Sequence, residues 1–147
     1  MPSHTESRVL PYAARQMFEL VADVPRYPQF LPWCAAARIR SRSPAPGGET
    51  MDAELMISFL AFRERFRSNV ALRSEPLAIE TEHVEGPFRF MNSAWTFRDV
   101  DGGCEVAFSV DFQLRNAILQ TAIGAVFDDA MRQVVRAFER RAAQLYG

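Results

Sequence analysis

The chain of 147 residues contains no lysine, because all 17 of its basic residues are arginine. The absence of lysine excludes a Schiff-base lysine and a phosphate-binding loop of the GxxxxGK[ST] type. Histidine and cysteine are also scarce, with two of each, and their scattered positions match none of the usual spacings of metal ligands. We expect no metal, and we expect Cys34 and Cys104 to be free buried thiols, with a disulfide as the alternative.

The sequence also lacks a long hydrophobic run. Its apolar stretches are far shorter than the ~20 residues that span a bilayer, and the N-terminus shows no basic segment followed by an apolar one. The formal net charge is −1, so no global field attracts nucleic acid or an anionic membrane. We expect a cytoplasmic protein of bacterial type, with a peripheral contact at the cytoplasmic membrane face left open, and no partner DNA.

Apolar and aromatic side chains are abundant instead. Hydrophobic residues make up 48% of the chain, and twelve residues are phenylalanine. The length fits a single domain over residues 1–147, and a domain of this size buries about 68–70% of its unfolded surface. So many large apolar side chains must pack in a core, meet a partner or surround a ligand.

Hydrophobic periodicity predicts one strand, two short helices, six strands and a long helix, in that order. The clearest strand alternates Val106, Phe108, Val110, Phe112 and Leu114 with polar residues. The predicted strands cover residues 4–10, 35–42, 50–59, 62–73, 77–84, 88–98 and 104–114; the helices cover 12–22, a turn-like segment with Pro25 and Pro28, and Asn116 to Leu145.

Short turns between consecutive strands predict an antiparallel sheet with one apolar face that needs a cover. The C-terminal helix is the predicted element that is long enough to cover it. We therefore predict an α+β fold of the helix-grip type, in which a seven-stranded curved antiparallel sheet wraps around the long C-terminal helix. Where the sheet curves more tightly than the helix fills, a cavity remains.

Three segments together resemble a known family. The chain is similar to the coenzyme-Q-binding START-domain family, which belongs to the START-like (polyketide-cyclase) superfamily and includes bacterial members named as ribosome-association toxins. The first segment is the specific one, and the similarity spans nearly the whole chain. The segments are Tyr27-Pro28-Gln29-Phe30-Leu31-Pro32-Trp33-Cys34; Gly86-Pro87-Phe88 with Met91, Trp95 and Phe97; and Phe127, Met131, Ala137-Phe138, Arg141-Ala142 and Leu145-Tyr146-Gly147.

The resemblance implies a hydrophobic cavity that binds ubiquinone or a similar isoprenoid lipid, without a resident cofactor, in support of respiratory electron transfer. It also implies an alternative, in which the protein binds the large ribosomal subunit and blocks subunit joining. An enzyme of the cyclase or aromatase kind is a third reading, and it requires polar groups that converge in the cavity.

Candidate ligand-binding residues fall into three groups. A proline-fixed apolar segment would form a gate, inward-facing strand residues would form one wall, and a helical stripe would form the other. The alternatives without a ligand are a packed turn that prolines fix, for the first group, and ordinary hydrophobic core, for the other two. The residues are Phe30, Leu31, Pro32 and Trp33; Phe62, Phe66, Met91, Trp95, Phe97 and Phe108; and Phe127, Met131, Val134 and Phe138.

Glu64 and His83 share the parity of the inward-facing residues of their strands, and they are the candidates for a polar contact with the ligand. An inward carboxylate must be paired, hydrated or protonated. We favour a position for Glu64 near the sheet edge, and a structural role for His83. No nucleophile, base and orienting group stand at a recognisable spacing, so no catalytic residue is predicted.

Arginines cluster on the outward face of two predicted strands, at positions 38, 40 and 42 and at positions 63, 65 and 67. Such a surface could contact ribosomal RNA or anionic lipid phosphates. The alternative, which we favour, is cross-strand ion pairing with the outward carboxylates Asp52, Glu54, Glu80 and Glu82.

Overall fold

The computed structural model describes residues 3–59 and 62–147, except for the side chain of Phe62. In this part of the chain, seven strands are followed by two helices, with one α-helix and one 3₁₀-helix after the first strand. The strands are β1 (Ser3–Leu10), β2 (Cys34–Ala45), β3 (Gly48–Phe59), β4 (Phe62–Ser74), β5 (Leu77–Glu85), β6 (Phe88–Val100) and β7 (Gly103–Leu114); the helices are α1 (Ala14–Ala22), the 3₁₀-helix (Val24–Gln29), α2 (Ala117–Gly124) and α3 (Phe127–Tyr146).

All strands pair antiparallel in one sheet, in the order β1-β7-β6-β5-β4-β3-β2. Strands β2 to β7 form a meander because each pairs with the strand that follows it in the chain. β1 then pairs with β7, from Ser3 opposite Asp111 to Leu10 opposite Cys104. The predicted helix-grip fold is confirmed, since the curved sheet carries the long C-terminal helix on its apolar face.

The short helix α1 has the amphipathic pattern that the sequence predicts. Its buried side chains include Met17, Phe18 and Val21, on the face that packs on the sheet. The Asp99 carboxylate on β6 accepts a hydrogen bond from the Ala14 backbone N–H at 2.8 Å. This contact satisfies one of the unpaired amides at the helix N-terminus and places α1 over β6.

The C-terminal helix differs from the prediction, which had one helix from Asn116 to Leu145. The chain forms two helices, α2 and α3, separated at Ala125 and Val126. Gly124 ends α2, and Asp128 and Asp129 stand in the first turn of α3, where carboxylates favour a helix N-terminus. The apolar stripe runs across the break, so periodicity alone did not reveal it.

A network of charged side chains fixes α3 to the edge strand β1. The imidazole of His4 contacts Glu6 at 2.8 Å and Asp128 at 3.1 Å, and Arg8 contacts Glu6 at 2.7 Å and Glu139 at 2.9 Å. Burial alone would raise the pKa of Glu6, but the hydrogen bonds from His4 and Arg8 outweigh it and hold that pKa below its ordinary value. The network joins the two elements at both halves of α3.

The antiparallel meander places several connections at one end of the sheet, which we call the α2 end. Strands β2, β4 and β6 begin there, and strands β3, β5 and β7 end there, as the pairs Phe59 with Phe62 and Phe88 with Leu114 show. Helix α2 follows β7 at the same end. Because β4 pairs with β5 only from Arg67 onward, the β3–β4 hairpin projects beyond its neighbour.

Candidate functional site

A cavity of about 300 Å³ lies between the sheet and the helices α2 and α3. Its wall is almost entirely apolar and comes from α1, the 3₁₀-helix, the loop before β2, the first residue of β2, strands β3 to β7, and the two C-terminal helices. The volume lies at the lower end of the range for ligand pockets in proteins. The space exists because α3 packs on the β1 side of the sheet and leaves the inner faces of β3 and β4 without a directly packed cover.

Most of the side chains predicted to contact a ligand line this cavity. They come from all three predicted groups: the segment before β2, the inward faces of the strands, and the stripe on the helix. Whether they bind a ligand stays a prediction. The predicted residues in the wall are Leu31, Pro32, Trp33, Phe66, Met91, Trp95, Phe108, Phe127, Met131, Val134 and Phe138.

Two predicted aromatic residues lie behind the wall. Phe97 is 3% exposed and packs edge-to-face on Phe18 of α1, because α1 covers this end of β6. The ring of Phe30 packs against Tyr27 and Phe138, with centroids 6.1 and 5.2 Å away. Both residues therefore support wall residues and do not line the cavity, while the predicted contact of Phe62 falls on a side chain outside the described part.

The two polar candidates also lie outside the wall. Glu64 is exposed, because it stands on the projecting part of β4 where no β5 residue lies beside it. His83 contacts the rings of Phe66 and Phe88, at centroid distances of 6.4 and 5.1 Å, and these two rings line the cavity. The favoured interpretations, an edge position for Glu64 and a packed His83, match these placements.

His83 is held in its neutral form by its surroundings. Burial and then the positive charge of Arg115 lower the pKa of its imidazole below the ordinary value. Neither ring nitrogen has a hydrogen-bond partner among the described residues. Gly86 approaches closely: a Cβ there would lie 2.6 Å from the Phe66 Cβ, and its φ of +144° favours glycine.

Trp33 stands at the mouth of the cavity in a strained backbone conformation. Its φ is +64°, a left-handed value that few bulky residues adopt. Its carbonyl accepts a hydrogen bond from Ser58 N–H at 2.9 Å, and its ring packs on Phe59 at a centroid distance of 4.5 Å. Both rings are partly exposed and line the cavity, so they connect its interior with the surface.

The sequence analysis missed a group of hydroxyl side chains in the apolar wall. Ser68, Thr81 and Ser93 lie on the inner faces of the neighbouring strands β4, β5 and β6. Thr81 is directly opposite both Val70 and Ser93, and Ser68 is two residues before Val70. The signal was available: a small hydroxyl residue occupies an inward position on three consecutive strands, where an apolar residue is expected.

Tyr27 and Cys34 are the ionisable residues of the described wall, and both polar groups are occupied. The Tyr27 hydroxyl donates to the Val21 carbonyl, and burial raises the pKa of Tyr27 well above its ordinary value. The Cys34 thiol donates to the Ala36 carbonyl at 3.6 Å, and burial raises its pKa as well. Cys104 is also a buried free thiol, so the cysteine prediction is confirmed.

Three of the six arginines in the two predicted clusters form ion pairs with the predicted carboxylates. Arg38 and Arg40 contact Glu54 at 2.9 and 3.8 Å, and Arg67 contacts Asp52 at 3.3 Å. Arg42, Arg73 and Arg98 pair with Glu49, Glu80 and Glu105. Among the described residues, Arg63 and Arg65 have no carboxylate within 4.0 Å, so the favoured ion-pair interpretation holds for part of the surface only.

The described part of the chain contains neither a metal-binding cluster nor a membrane-spanning helix. Within residues 3–59 and 62–147, no group of three or more His, Cys, Asp or Glu side chains is arranged to hold a metal ion. No helix of the same ranges is long and apolar enough to cross a membrane.

Comparison with known proteins finds relatives that have the predicted fold and belong to the predicted family. The ribosome association toxin RatA of Rickettsia prowazekii is 35% identical over 148 residues, with 99% of both chains covered. The mitochondrial coenzyme Q-binding protein COQ10 homolog B of Xenopus laevis is 31% identical over 98% of this chain and 59% of its own length. The solution structure of an 18 kDa protein from Caulobacter crescentus is 34% identical, with a TM-score of 0.83, covering 100% of this chain and 99% of that one.

A family model described as polyketide cyclase/dehydrase and lipid transport matches residues 10–139. This range runs from the end of β1 to the middle of α3 and includes every wall element of the cavity. With its sheet, its long C-terminal helix and its cavity, the chain belongs to the polyketide cyclase/dehydrase and lipid transport family.

Proposed function

We propose that this protein is a non-enzymatic carrier of a polyisoprenoid quinone such as ubiquinone, and that it supports respiratory electron transport. The observation that carries the proposal is a cavity whose wall is apolar except for the neighbouring hydroxyls of Ser68, Thr81 and Ser93 and the already hydrogen-bonded groups of Tyr27 and Cys34. A relative that covers 98% of this chain bears the name of a coenzyme Q-binding protein. The family description includes lipid transport.

The cavity suits a ligand with an apolar body and few polar atoms. Burial of an apolar tail contributes about 25 cal/mol for each Å² removed from water. The hydroxyls of Ser68, Thr81 and Ser93 can donate hydrogen bonds to the carbonyl and ether oxygens of a quinone ring. One or two such contacts fix the orientation of a head group in a mostly apolar pocket.

A carrier fits the cavity better than an enzyme does. The family description also names cyclases and dehydrases, and such chemistry needs an acid, a base or a nucleophile at the substrate. In the described wall, the ionisable side chains are Tyr27 and Cys34, which are occupied by backbone carbonyls and have raised pKa values. We therefore propose binding without turnover, and without a resident metal or cofactor.

Organic extraction of the purified protein, followed by mass spectrometry, tests the proposal. We expect a stoichiometric isoprenoid quinone, and a higher melting temperature when a quinone is added to the delipidated protein. Extracts without quinone, together with a melting temperature that added quinone leaves unchanged, would contradict the carrier function.

The hydroxyl contacts need a separate pair of variants. Thr81→Val and Ser93→Ala remove the hydroxyls and keep similar volumes, so we expect weaker quinone binding by about fivefold or more each, since a neutral hydrogen bond contributes about 1 kcal/mol. Ser109→Ala is the matched control, because Ser109 is exposed on β7. Equal affinity of all three variants would show that the hydroxyls do not contact the ligand.

Ribosome association is the second candidate function. It is favoured by the name of a relative that is 35% identical over 99% of this chain. In this case the protein would bind the large ribosomal subunit and block subunit joining. Cosedimentation with separated 30S and 50S subunits tests it, and a chain that stays at the top of the gradient in both cases contradicts it.

A further inference from the structure

We propose that the α2 end of the molecule docks on a phospholipid bilayer that contains anionic lipids. The inference deepens the proposed carrier function, because docking there would set the cavity mouth against the membrane. It stands on two features of the surface, an exposed apolar group and a set of arginines without carboxylate partners.

The apolar feature begins with α2. This helix, Ala117–Gly124, contains no charged residue and no buried one. Ile118 is 81% exposed, whereas Leu119 packs against the core and Ile123 lines the cavity. A helix that is apolar on both its inner and its outer side is unusual on a surface that faces only water.

Trp33 and Phe59 extend the apolar surface at the same end of the sheet. Both rings are partly exposed and stand where the cavity opens. Tryptophan is favoured where one side of a residue meets water and the other meets an apolar phase. Trp33, Phe59 and Ile123 thus belong both to this end of the molecule and to the cavity wall.

The arginines of the strands divide into two groups. Those with a carboxylate partner are Arg8, Arg38, Arg40, Arg42, Arg67, Arg73 and Arg98. Those with none among the described residues are Arg63, Arg65 and Arg89, which are exposed and stand at the start of β4 and β6. All three unpaired arginines thus lie at the α2 end, and Arg115 follows β7 at the same end.

The acidic residues of this end do not cancel these charges. Glu85 contacts Arg67 at 3.5 Å, and Asp128 contacts His4 at 3.1 Å. Glu64 and Asp129 remain as exposed carboxylates nearby. Unpaired guanidinium groups at the same end of the sheet as an exposed apolar surface match the phosphates and acyl chains of an anionic bilayer.

Ribosomal RNA would also attract the arginines, and its bases can stack on the rings of Trp33 and Phe59, but it offers no apolar phase to Ile118. RNA recognition relies on phosphate contacts and base stacking. An isoleucine that is 81% exposed on an uncharged helix contributes to neither. The combination of features therefore favours a membrane over RNA, and RNA binding becomes an outcome of the test.

Vesicle flotation is the test, with the full chain and without added quinone. The probes are phosphatidylcholine vesicles with and without phosphatidylglycerol. We expect binding to the anionic vesicles, about thirtyfold weaker binding for R63Q/R65Q, and a clear loss for Ile118→Ser. The matched controls are R38Q/R73Q, which removes paired arginines, and Val9→Ser, which replaces a residue that is 63% exposed at the opposite end of the sheet.

Several outcomes would overturn the proposal. The first is that the protein does not float with anionic vesicles, and the second is that the test and control variants lose vesicle binding equally. The third is that the wild type does not bind vesicles while R63Q/R65Q loses affinity for ribosomal RNA. The carrier function is measured apart, by quinone binding in detergent micelles. Flotation without quinone binding would contradict the carrier function and support the docking surface. Quinone binding without flotation would support the carrier function and contradict the docking surface.

Discussion

The inner faces of β7 and β3 carry the same alternation of apolar residues and yet differ in burial. On β7, the inward side chains from Cys104 to Leu114 are all buried. On β3, Met51 and Ala53 are buried, whereas Leu55, Ile57 and Phe59 are half-buried. We call β7, the adjoining end of β6 and the helices that cover them the packed half, and we call the region of β3 that faces the cavity the open half.

The difference teaches that alternation defines which face is apolar, but not what covers it. Helix α1 contacts β7, and the rings of Phe112 and Phe127 join β7 to α3, so the inward side chains of β7 are buried. They are buried even though Phe108, Val110, Phe112 and Leu114 also line the cavity. α3 is fixed toward β1 by the Arg8–Glu139 and His4–Asp128 contacts, so it cannot also pack on β3. The open half keeps its apolar residues facing a cavity, which is an arrangement that a ligand can stabilise.

Truncation of one aromatic residue in the packed half should have the largest effect. Phe97→Ala removes a ring packed between Phe18 and Trp95, and we expect the free energy of unfolding to fall by about 3–5 kcal/mol. Ile57→Ala in the open half should cost about 1 kcal/mol, since part of its surface faces empty space. Urea unfolding of both delipidated variants measures the contrast, and equal losses would show that the open half is ordinary core.

Replacing an alanine by a larger residue should also distinguish the two halves, because the added atoms overpack the packed half but fit into the cavity of the open half. Ala137 of α3 is 1% exposed, so Ala137→Met should overpack the core and cost about 1–3 kcal/mol. Ala53→Met on β3 should cost little, because the added atoms enter the cavity, but it should weaken quinone binding. Thermal melts with and without quinone test the pair. An Ala53→Met variant that binds quinone normally would break the comparison.

Trp33 tests the mouth of the open half. Trp33→Gly should change the free energy of unfolding by ~1 kcal/mol or less, because glycine relieves the left-handed φ of +64° while the contact with Phe59 is lost. Quinone retention should fall at the same time. Should the melting temperature collapse while the folded fraction still holds quinone, Trp33 would be a structural corner and not a gate.

The pH dependence of stability should show the smallest effect. Burial lowers the pKa of His83, so the unfolded chain binds this proton at a higher pH than the folded protein does. Stability should therefore fall as the pH drops below about 6.5, the ordinary histidine value. In His83→Gln this component should disappear, and urea midpoints at pH 7.5 and 5.5 would measure it. If the difference in urea midpoint between the wild type and His83→Gln is the same at both pH values, the prediction is wrong.

The packed half was easier to predict from the sequence than the open half. Strict alternation from Val106 to Leu114 revealed β7, and the spacing of Met17, Phe18 and Val21 revealed α1. These patterns are local consequences of burial on one face, so a single sequence contains them. The short turns between strands and the need to cover one apolar face then predicted the antiparallel sheet and its covering helix, an arrangement that the family resemblance also implied.

The errors lie where tertiary contacts override the local pattern. Phe97 has the parity of a wall residue, but α1 covers it. Glu64 has the same parity as Phe66, but it lies exposed at the sheet edge, as the favoured interpretation expected, because β4 projects past β5 at that point. The break between α2 and α3 lies within a continuous apolar stripe, so the signals at Gly124 and Asp128 were outweighed. Each case depends on a neighbour that is distant in the sequence.

Tryptophan fluorescence tests the central claim, that the open half is a quinone-binding cavity, most directly. The protein has two tryptophans, and both line the cavity, Trp95 in its wall and Trp33 at its mouth. Quinones quench an indole that they contact, so Trp33→Phe leaves Trp95 as a reporter of the interior. The account predicts that its emission falls saturably at one equivalent of long-tailed ubiquinone, and that Ala53→Met weakens this response. Emission that declines only linearly with quinone, equally in both proteins, would contradict it.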